Sequence, residues 1–302
     1  MSSLAVRKTG RAADTAPGTV RNRPPLRGRT ALIPTVTLLL GAVYCLLPVA
    51  WVVIAATKSG SELFSTLTFL PGTGFADNFA DLSAYRDGVY WQWMGNSALY
   101  AGLGALLSTV VSAFSGYALA IYRFPGRETI FNVLLAGVLM PPVILAIPQY
   151  LLLAQADLTD SYLSVLLPQI LSPYGVYLSR IYAAAAVPAD VVEAGRMDGA
   201  SEWRIFTRVA LPMMVPGMVT VFLFQFVAIW NNFLLPYIML SDDEKFPITL
   251  GLYTLLEQGA NTPALYTLVI TGAFLAVFPL VALFLVVQRF WSLDLLSGAV
   301  KS

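Results

Sequence analysis

Charged side chains are absent from six long stretches of the chain, residues 31–57, 94–122, 130–156, 161–179, 209–241 and 258–288. About 20 apolar residues in a helix are enough to cross the hydrocarbon core of a bilayer. The pattern therefore predicts an all-α, polytopic integral membrane protein with six transmembrane helices, filling one domain from 31 to 288. The first run, 27 residues long, exceeds the apolar region of a cleaved signal peptide and reads as a span.

The interruptions inside the runs are as informative as their length. The second run repeats small residues every four positions, at Gly104, Ser108, Ser112, Gly116 and Ala120, a stripe against which another helix or subunit can pack closely. The third carries Pro141, Pro142 and Pro148 with Gln149 beside them. Each proline removes a backbone donor, so a broken helix is expected there, tolerated in a bilayer only against protein or a watery cavity. The fifth holds Gln225, then Asn231 and Asn232, amides that should face inward. They serve either as hydrogen-bond glue between helices or as part of a solute path. Tyr90, Trp91 and Trp93, just ahead of the second run, read as an interfacial aromatic anchor.

Between the fourth and fifth runs the character reverses. Residues 187–216 hold Asp190, Glu193, Asp198 and Glu202 with Arg196, Arg204 and Arg208, so the segment must sit in water at a membrane surface. Asp190 and Glu193 have capping-box spacing, which predicts a helix from Val191; Asp198-Gly199 is a turn dipeptide, and Ser201 is a second N-cap. In the second helix Trp203, Phe206 and Val209 or Ala210 share one face, with Arg204 and Arg208 on another. Gly199 should need a positive φ or a close approach. The segment thus reads as helix, turn, helix. On these signals alone it is either an amphipathic interfacial hairpin or a docking element.

Composition sharpens the class. Of the 302 residues 57% are hydrophobic and 12% charged, against about 25% charged in soluble proteins. With no histidine and a lone Cys45, the commonest general base, a disulfide and a thiolate metal site are all missing. Neither a catalytic nor a metal site is expected, and no cofactor. The spans contain no Asp, Glu or Lys either, which disfavours a membrane enzyme or a transporter with intramembrane proton carriers. Residues 1–30, with seven of the 18 basic residues, read as a disordered tail. With both termini inside, cytoplasmic segments hold 15 Lys and Arg and outside segments three, a positive-inside bias that places the 187–212 loop and the tail 289–302 in the cytoplasm.

The loop then acquires a specific resemblance. Glu193-Ala194-Gly195, three residues, Gly199, nine residues and Val209-Ala210-Leu211-Pro212 resemble the EAA loop of the membrane subunits of binding-protein-dependent ABC importers, with Gly195 and Val209 in place of Ala and Ile. GYALAIYRFPGR (116–127), MPPVILAIP (140–148), WNNFLLP (230–236) and LGLYTL (250–255) extend the resemblance to the sugar-transporting branch, similar to the second permease subunit of maltose-type importers. The resemblance implies a permease of a prokaryotic cell membrane working by alternating access. Its implied partners are ABC ATPase subunits, a second, non-identical membrane subunit, an extracytoplasmic solute-binding protein reached by the outside loop 242–263, and a sugar. No nucleic acid is implied. Glu193, Ala194, Gly195, Asp198, Gly199, Leu211 and Pro212 would couple to the ATPase, and Pro141, Pro142, Gln149, Gln225, Asn231 and Asn232 would lie along the path. The phosphate-cradling Gly-x-x-x-x-Gly-Lys-Ser/Thr signature is missing, so ATP would be hydrolysed on another polypeptide. A permease for a polyamine or phosphonate is the alternative, although uncharged spans favour a neutral solute.

Overall fold

The computed structural model describes residues 32–259 and 264–298. Among these residues there is no strand. Fourteen helices follow in order: α1 (Leu32–Ala56), α2 (Gly60–Ser65), α3 (Phe75–Ala84), α4 (Val89–Ile121), α5 (Arg127–Leu139), α6 (Pro142–Gln155), α7 (Tyr162–Ile170), α8 (Pro173–Ala186), α9 (Ala189–Met197), α10 (Glu202–Ile205), α11 (Leu211–Trp230), α12 (Leu234–Met239), α13 (Ile248–Gly259) and α14 (Ala264–Gly298). Residues 1–49 and 50–302 form separate units. The described part of the first is the amino-terminal portion of α1, an apolar helix with Pro48 inside it. The expected tail 1–30 lies outside the described residues.

Helix α1, the stretch ending in α4, the stretch from α10 through α11, and α14 are each long and apolar enough to cross a membrane. The pair α5–α6, bent by 105°, makes a fifth candidate. The bend falls at Met140–Pro141, as the prolines required. The run 161–179, expected as one span, is instead divided between α7 and α8. Its break has a local cause: Pro173 opens α8 and the Ser172 hydroxyl accepts from the Gly175 amide at 3.0 Å, which caps a new helix rather than continuing the old one. The fifth run likewise stops at Trp230 and resumes as α12. At the carboxyl end α14 continues past the expected boundary at 288 to Gly298, because nothing in that stretch breaks a helix.

In the second unit, α4 is the axis. At 33 residues it is about 50 Å long, and it joins two apolar cores. One gathers Tyr90, Trp93 and Tyr100 with Trp230, Ile248, Leu250 and Leu255. The other gathers Tyr117, Ile205, Phe206, Met214 and Val221. The small-residue stripe is used within the chain. A Cβ on Gly116 would meet the backbone nitrogen of Arg180 at 2.6 Å, and one on Gly104 would meet Ile229 Cδ1 at 3.0 Å, so α8 and α11 approach α4 closely along it.

The aromatic triplet is a correction to the interfacial reading. Trp91 is exposed, but Tyr90 and Trp93 are fully buried. Tyr90 donates to the Gly272 carbonyl at 3.0 Å and Trp93 Nε1 to the Asp243 carbonyl at 2.9 Å, while Gly251 leaves room for the indole. Tyr90 thus ties α14 to α4, while Trp93 clamps the 242–246 turn to it, helped by Asn96 Nδ2, which donates to the carbonyls of Glu244 and Phe246. The 242–259 segment therefore packs back onto the body through α13. Residues 260–263 lie outside the described part.

Candidate functional site

Two places bring together residues singled out from the sequence. The first is the charged loop. Helix α9 begins at Ala189, with Pro188 in the cap position and no side-chain cap, so the Asp190–Glu193 capping box is not formed. Asp190 lies in the first turn instead, where its charge still favours the helix dipole. The other end is as expected: Ser201 Oγ accepts from the Arg204 amide and starts α10. Between them Gly199 has a φ of 73°. Its amide donates to the Arg196 carbonyl and the Ala200 amide to the Gly195 carbonyl, each at 3.0 Å. This pair of bonds is a Schellman stop, which uses a left-handed residue to satisfy the last carbonyls of a helix.

The loop folds onto the second core. Ile205, Phe206 and Ala210 are buried, and the helix widens to a π-turn over Phe206–Ala210 before entering α11. Trp203 is 64% exposed, so it does not share the buried face of Phe206 as the α-helical spacing suggested; Ile205 does, because the wide turn alters the helical phase. Trp203 nevertheless stacks on Phe114 of α4, ring centroids 5.7 Å apart and nearly parallel. Arg196 donates to both Glu202 oxygens, at 2.7 and 3.3 Å, and Tyr122 donates to Oε2 at 2.8 Å. These contacts hold the Glu202 carboxyl below its ordinary value, Arg196 first and Tyr122 second. Across the same end Arg180 donates to Glu128 at 2.9 Å and lies 3.7 Å over the Phe131 ring.

Much of the loop remains exposed. Glu193, Ala194, Asp198, Gly199 and Arg204 are exposed, together with Val191 and with Met197 at 87%. Apolar side chains facing outward on a short charged helix are suited to a protein partner. Gly195 is half-buried against Ile205, Leu211 packs on the second core, and Pro212 is exposed at the first turn of α11.

The second place is a cavity of about 880 Å³ where three broken helices converge. Its wall includes Pro141, Pro142 and Gln149 from the α5–α6 break, and Gln225, Asn231 and Asn232 from the α11–α12 break. All six path residues expected from the sequence thus line one space. The third break, between α7 and α8, adds Gln169, Ser172 and Tyr174, which sequence reasoning missed. A polar Gln-x-x-Ser-Pro within an uncharged run was the available signal. The amides are also structural. Gln225 donates to Ser172 Oγ at 2.7 Å, Asn231 Nδ2 to the Val227 carbonyl at 2.8 Å, and Asn232 Oδ1 accepts from the Leu235 amide at 3.4 Å. Among the described residues no Asp, Glu, Lys or Arg lines the wall, so the space offers amides, hydroxyls and apolar surface to a solute.

Comparison with known proteins covers both places. A family model described as binding-protein-dependent transport system inner membrane component matches residues 108–292. The arabinooligosaccharides transport system permease protein AraQ of Halalkalibacterium halodurans is 34% identical over 257 residues, which are 84% of this chain and 90% of that one. The lactose transport system permease protein LacG of Rhizobium radiobacter is 32% identical over 265 residues, 87% and 93% of the two chains. A chain of a crystal structure of a bacterial ABC transporter involved in the import of the acidic polysaccharide alginate superposes with a TM-score of 0.76, covering 88% of this chain and 99% of that chain at 22% identity, a likeness of fold.

Proposed function

The chain belongs to the binding-protein-dependent transport system inner membrane components, and from that premise we propose that the three-break cavity is the sugar path and the α9–Gly199–α10 loop its coupling surface. The chain is a permease subunit of a sugar ABC importer rather than an enzyme, ATP being hydrolysed on a separate subunit; the relatives named for arabinooligosaccharides and lactose support the carbohydrate assignment. A solute-binding protein delivers the solute. The single observation that carries the reading is the convergence of all six expected path residues on one uncharged cavity. Neutral hydroxyl-rich solutes suit such a wall better than a polyamine or a phosphonate, whose charge would be desolvated without a partner.

Six spans follow if α7–α8 counts as the fourth and α11–α12 as the fifth. The contacts at the two ends of α4 support this. Arg86 pairs with Asp243, and Lys245 with Asp160 and Asp242, at one end; Arg180 with Glu128, and Arg196 and Tyr122 with Glu202, gather at the other. The basic-residue bias makes the Glu202 end cytoplasmic. A second, non-identical membrane subunit completes the core, and both termini lie inside. Uptake of labelled arabino-oligosaccharide, lactose, putrescine and a phosphonate by cells expressing the complete transporter tests the solute class. Uptake of putrescine or phosphonate without either sugar would overturn it. Cysteine probes at Asp81 and Glu202 in a Cys45→Ser background test the orientation, with the first labelled from outside and the second protected.

A further inference from the structure

Lys58 follows α1 in a segment fixed from several directions. Asn78 Nδ2 donates to the carbonyls of Ala56 and Lys58 at 3.0 and 2.8 Å, and the Gly74 amide donates to the Thr57 carbonyl at 2.7 Å. Gly72 is required beside it, since a Cβ there would stand 2.6 Å from the Thr57 carbonyl oxygen. The Lys58 side chain is 2% exposed. Its Nζ donates to the Leu67 carbonyl at 2.7 Å, and no carboxylate lies within ion-pair distance of it among the described residues. The nearby Glu62 feels the ammonium, but its carboxylate receives the Ser59 amide in a capping box. A buried ammonium has three donors and needs a counter-charge or full hydrogen bonding. One neutral carbonyl supplies part of that.

The same side chain lines a cavity of about 290 Å³, walled by Trp51 and Ala55 of α1, Leu63 and Phe64 of α2, Thr68, and Tyr266 and Ile270 of α14. Helices α1 and α14 are both span candidates, and the cavity lies where the end of one meets the beginning of the other. Phe64 is 67% exposed and meets Tyr266 edge to face at 6.0 Å. Aromatic rings beside a lysine at the ends of spans mark the headgroup level of a bilayer. We propose that this groove holds a membrane phospholipid, its phosphate diester on Lys58 Nζ and its acyl chains along Trp51, Leu63 and Phe64. The bilayer itself supplies this occupant: it delivers an anion and apolar chains together at the depth where the groove opens. The assignment needs α1 and α14 to span the membrane and is independent of which solute is carried.

Native mass spectrometry of the assembled detergent-purified complex tests it, with phosphatidylglycerol, a chain-matched diacylglycerol and inorganic phosphate as separate probes. Phosphatidylglycerol should remain bound, and the diacylglycerol and free phosphate should not. Lys58→Met should lower phosphatidylglycerol occupancy about tenfold, as expected when a charge-assisted contact is lost, while Lys58→Arg keeps it. Equal binding of diacylglycerol would mean that only the chains are recognised, and equal binding of inorganic phosphate would mean a free-ion site; either overturns the proposal, as does Lys58→Met with undiminished lipid. Should Lys58→Met fail to assemble, Phe64→Ser, at an exposed position, decides: reduced phosphatidylglycerol supports the site and unchanged occupancy overturns it.

Discussion

Gly195 and Ile205 pack so closely across the turn that a Cβ at position 195 would stand 3.2 Å from Ile205 Cγ1. The departure from alanine noted in the sequence therefore brings α9 against α10. Gly195→Ala adds helix propensity of about 1 kcal/mol but presses on a fully buried isoleucine, and the two effects should nearly cancel in a thermal melt of the purified complex. Gly195→Leu cannot be accommodated and should part the two helices. Sugar uptake should then fall at normal membrane levels. Parental uptake by the leucine variant would show that the α9–α10 contact is dispensable.

At Gly199 the space around a Cβ is open, so the expected penalty lies in the backbone alone. With φ at 73°, Gly199→Val should cost about 1–3 kcal/mol and Gly199→Asn distinctly less. Glu193→Lys leaves the backbone alone and reverses charge on the exposed face. Both Gly199→Val and Glu193→Lys should reach the membrane, bind the ATPase weakly and lose uptake, whereas Gly199→Asn retains most of it. Co-purification of the ATPase is the readout, and full retention by the two damaging variants would return the loop to a mere interfacial hairpin.

Protonation should loosen the loop in acid. Because the Glu202 carboxyl is held below its ordinary value of 4.5 by Arg196 and Tyr122, its contribution to stability is complete above 4.5 and is lost as the pH falls through the lowered value. Arg196→Ala, removing a solvent-screened ion pair, should change the melting midpoint only slightly at neutral pH and flatten this acid limb. Melting midpoints of the two proteins that fall in parallel below 4.5 would rule the pair out as its source.

Blocking the cavity should separate transport from assembly. Ala228 lies on its wall, and Ala228→Trp puts an indole into the space between the breaks without removing any of the hydrogen bonds made by Gln225 or Asn231. Uptake should fall by at least an order of magnitude while ATPase association is unchanged. Undiminished uptake would place the path elsewhere.

Deletion of 242–263, which the resemblance suggested as a way to cut contact with the binding protein, is no longer a clean test. It would strip Trp93 and Asn96 of their acceptors, and burial of an unpaired polar group with loss of an aromatic anchor costs about 3 kcal/mol or more. The Asp160 carboxylate is a further tie: burial raises its pKa, but the amides of Ser241 and Asp242 and the Lys245 charge outweigh this and hold it low.

Much of the fold was legible because its signals are local. Apolar run length located the five candidate spans found among the described residues, Pro141–Pro142 located a bend, and Ser201 and Gly199 each act within a few residues. What escaped depended on partners distant in sequence. Tyr90 and Trp93 looked like an interfacial anchor because their acceptors, at Gly272 and Asp243, lie about 150 or more residues away. Trp203 was grouped on one face with Phe206 because a π-turn, which alters the phase of a helix, leaves no sequence mark as plain as a proline. The split of 161–179 could have been weighed from Ser172-Pro173, a cap followed by a helix-opening residue, but an uninterrupted hydropathy run concealed it.

The π-turn at Phe206–Ala210 carries one more consequence. It joins α10 to α11 without a loop, so Glu202 and the cavity-lining Gln225 stand on one rod, about 35 Å apart along its axis. On the other side of the loop, Val187 and Pro188 separate α9 from α8 as a joint. A tether transmits only tension, whereas a strut jointed at one side also carries compression. A load on the α9–α10 loop in either direction should therefore arrive at the cavity wall as displacement.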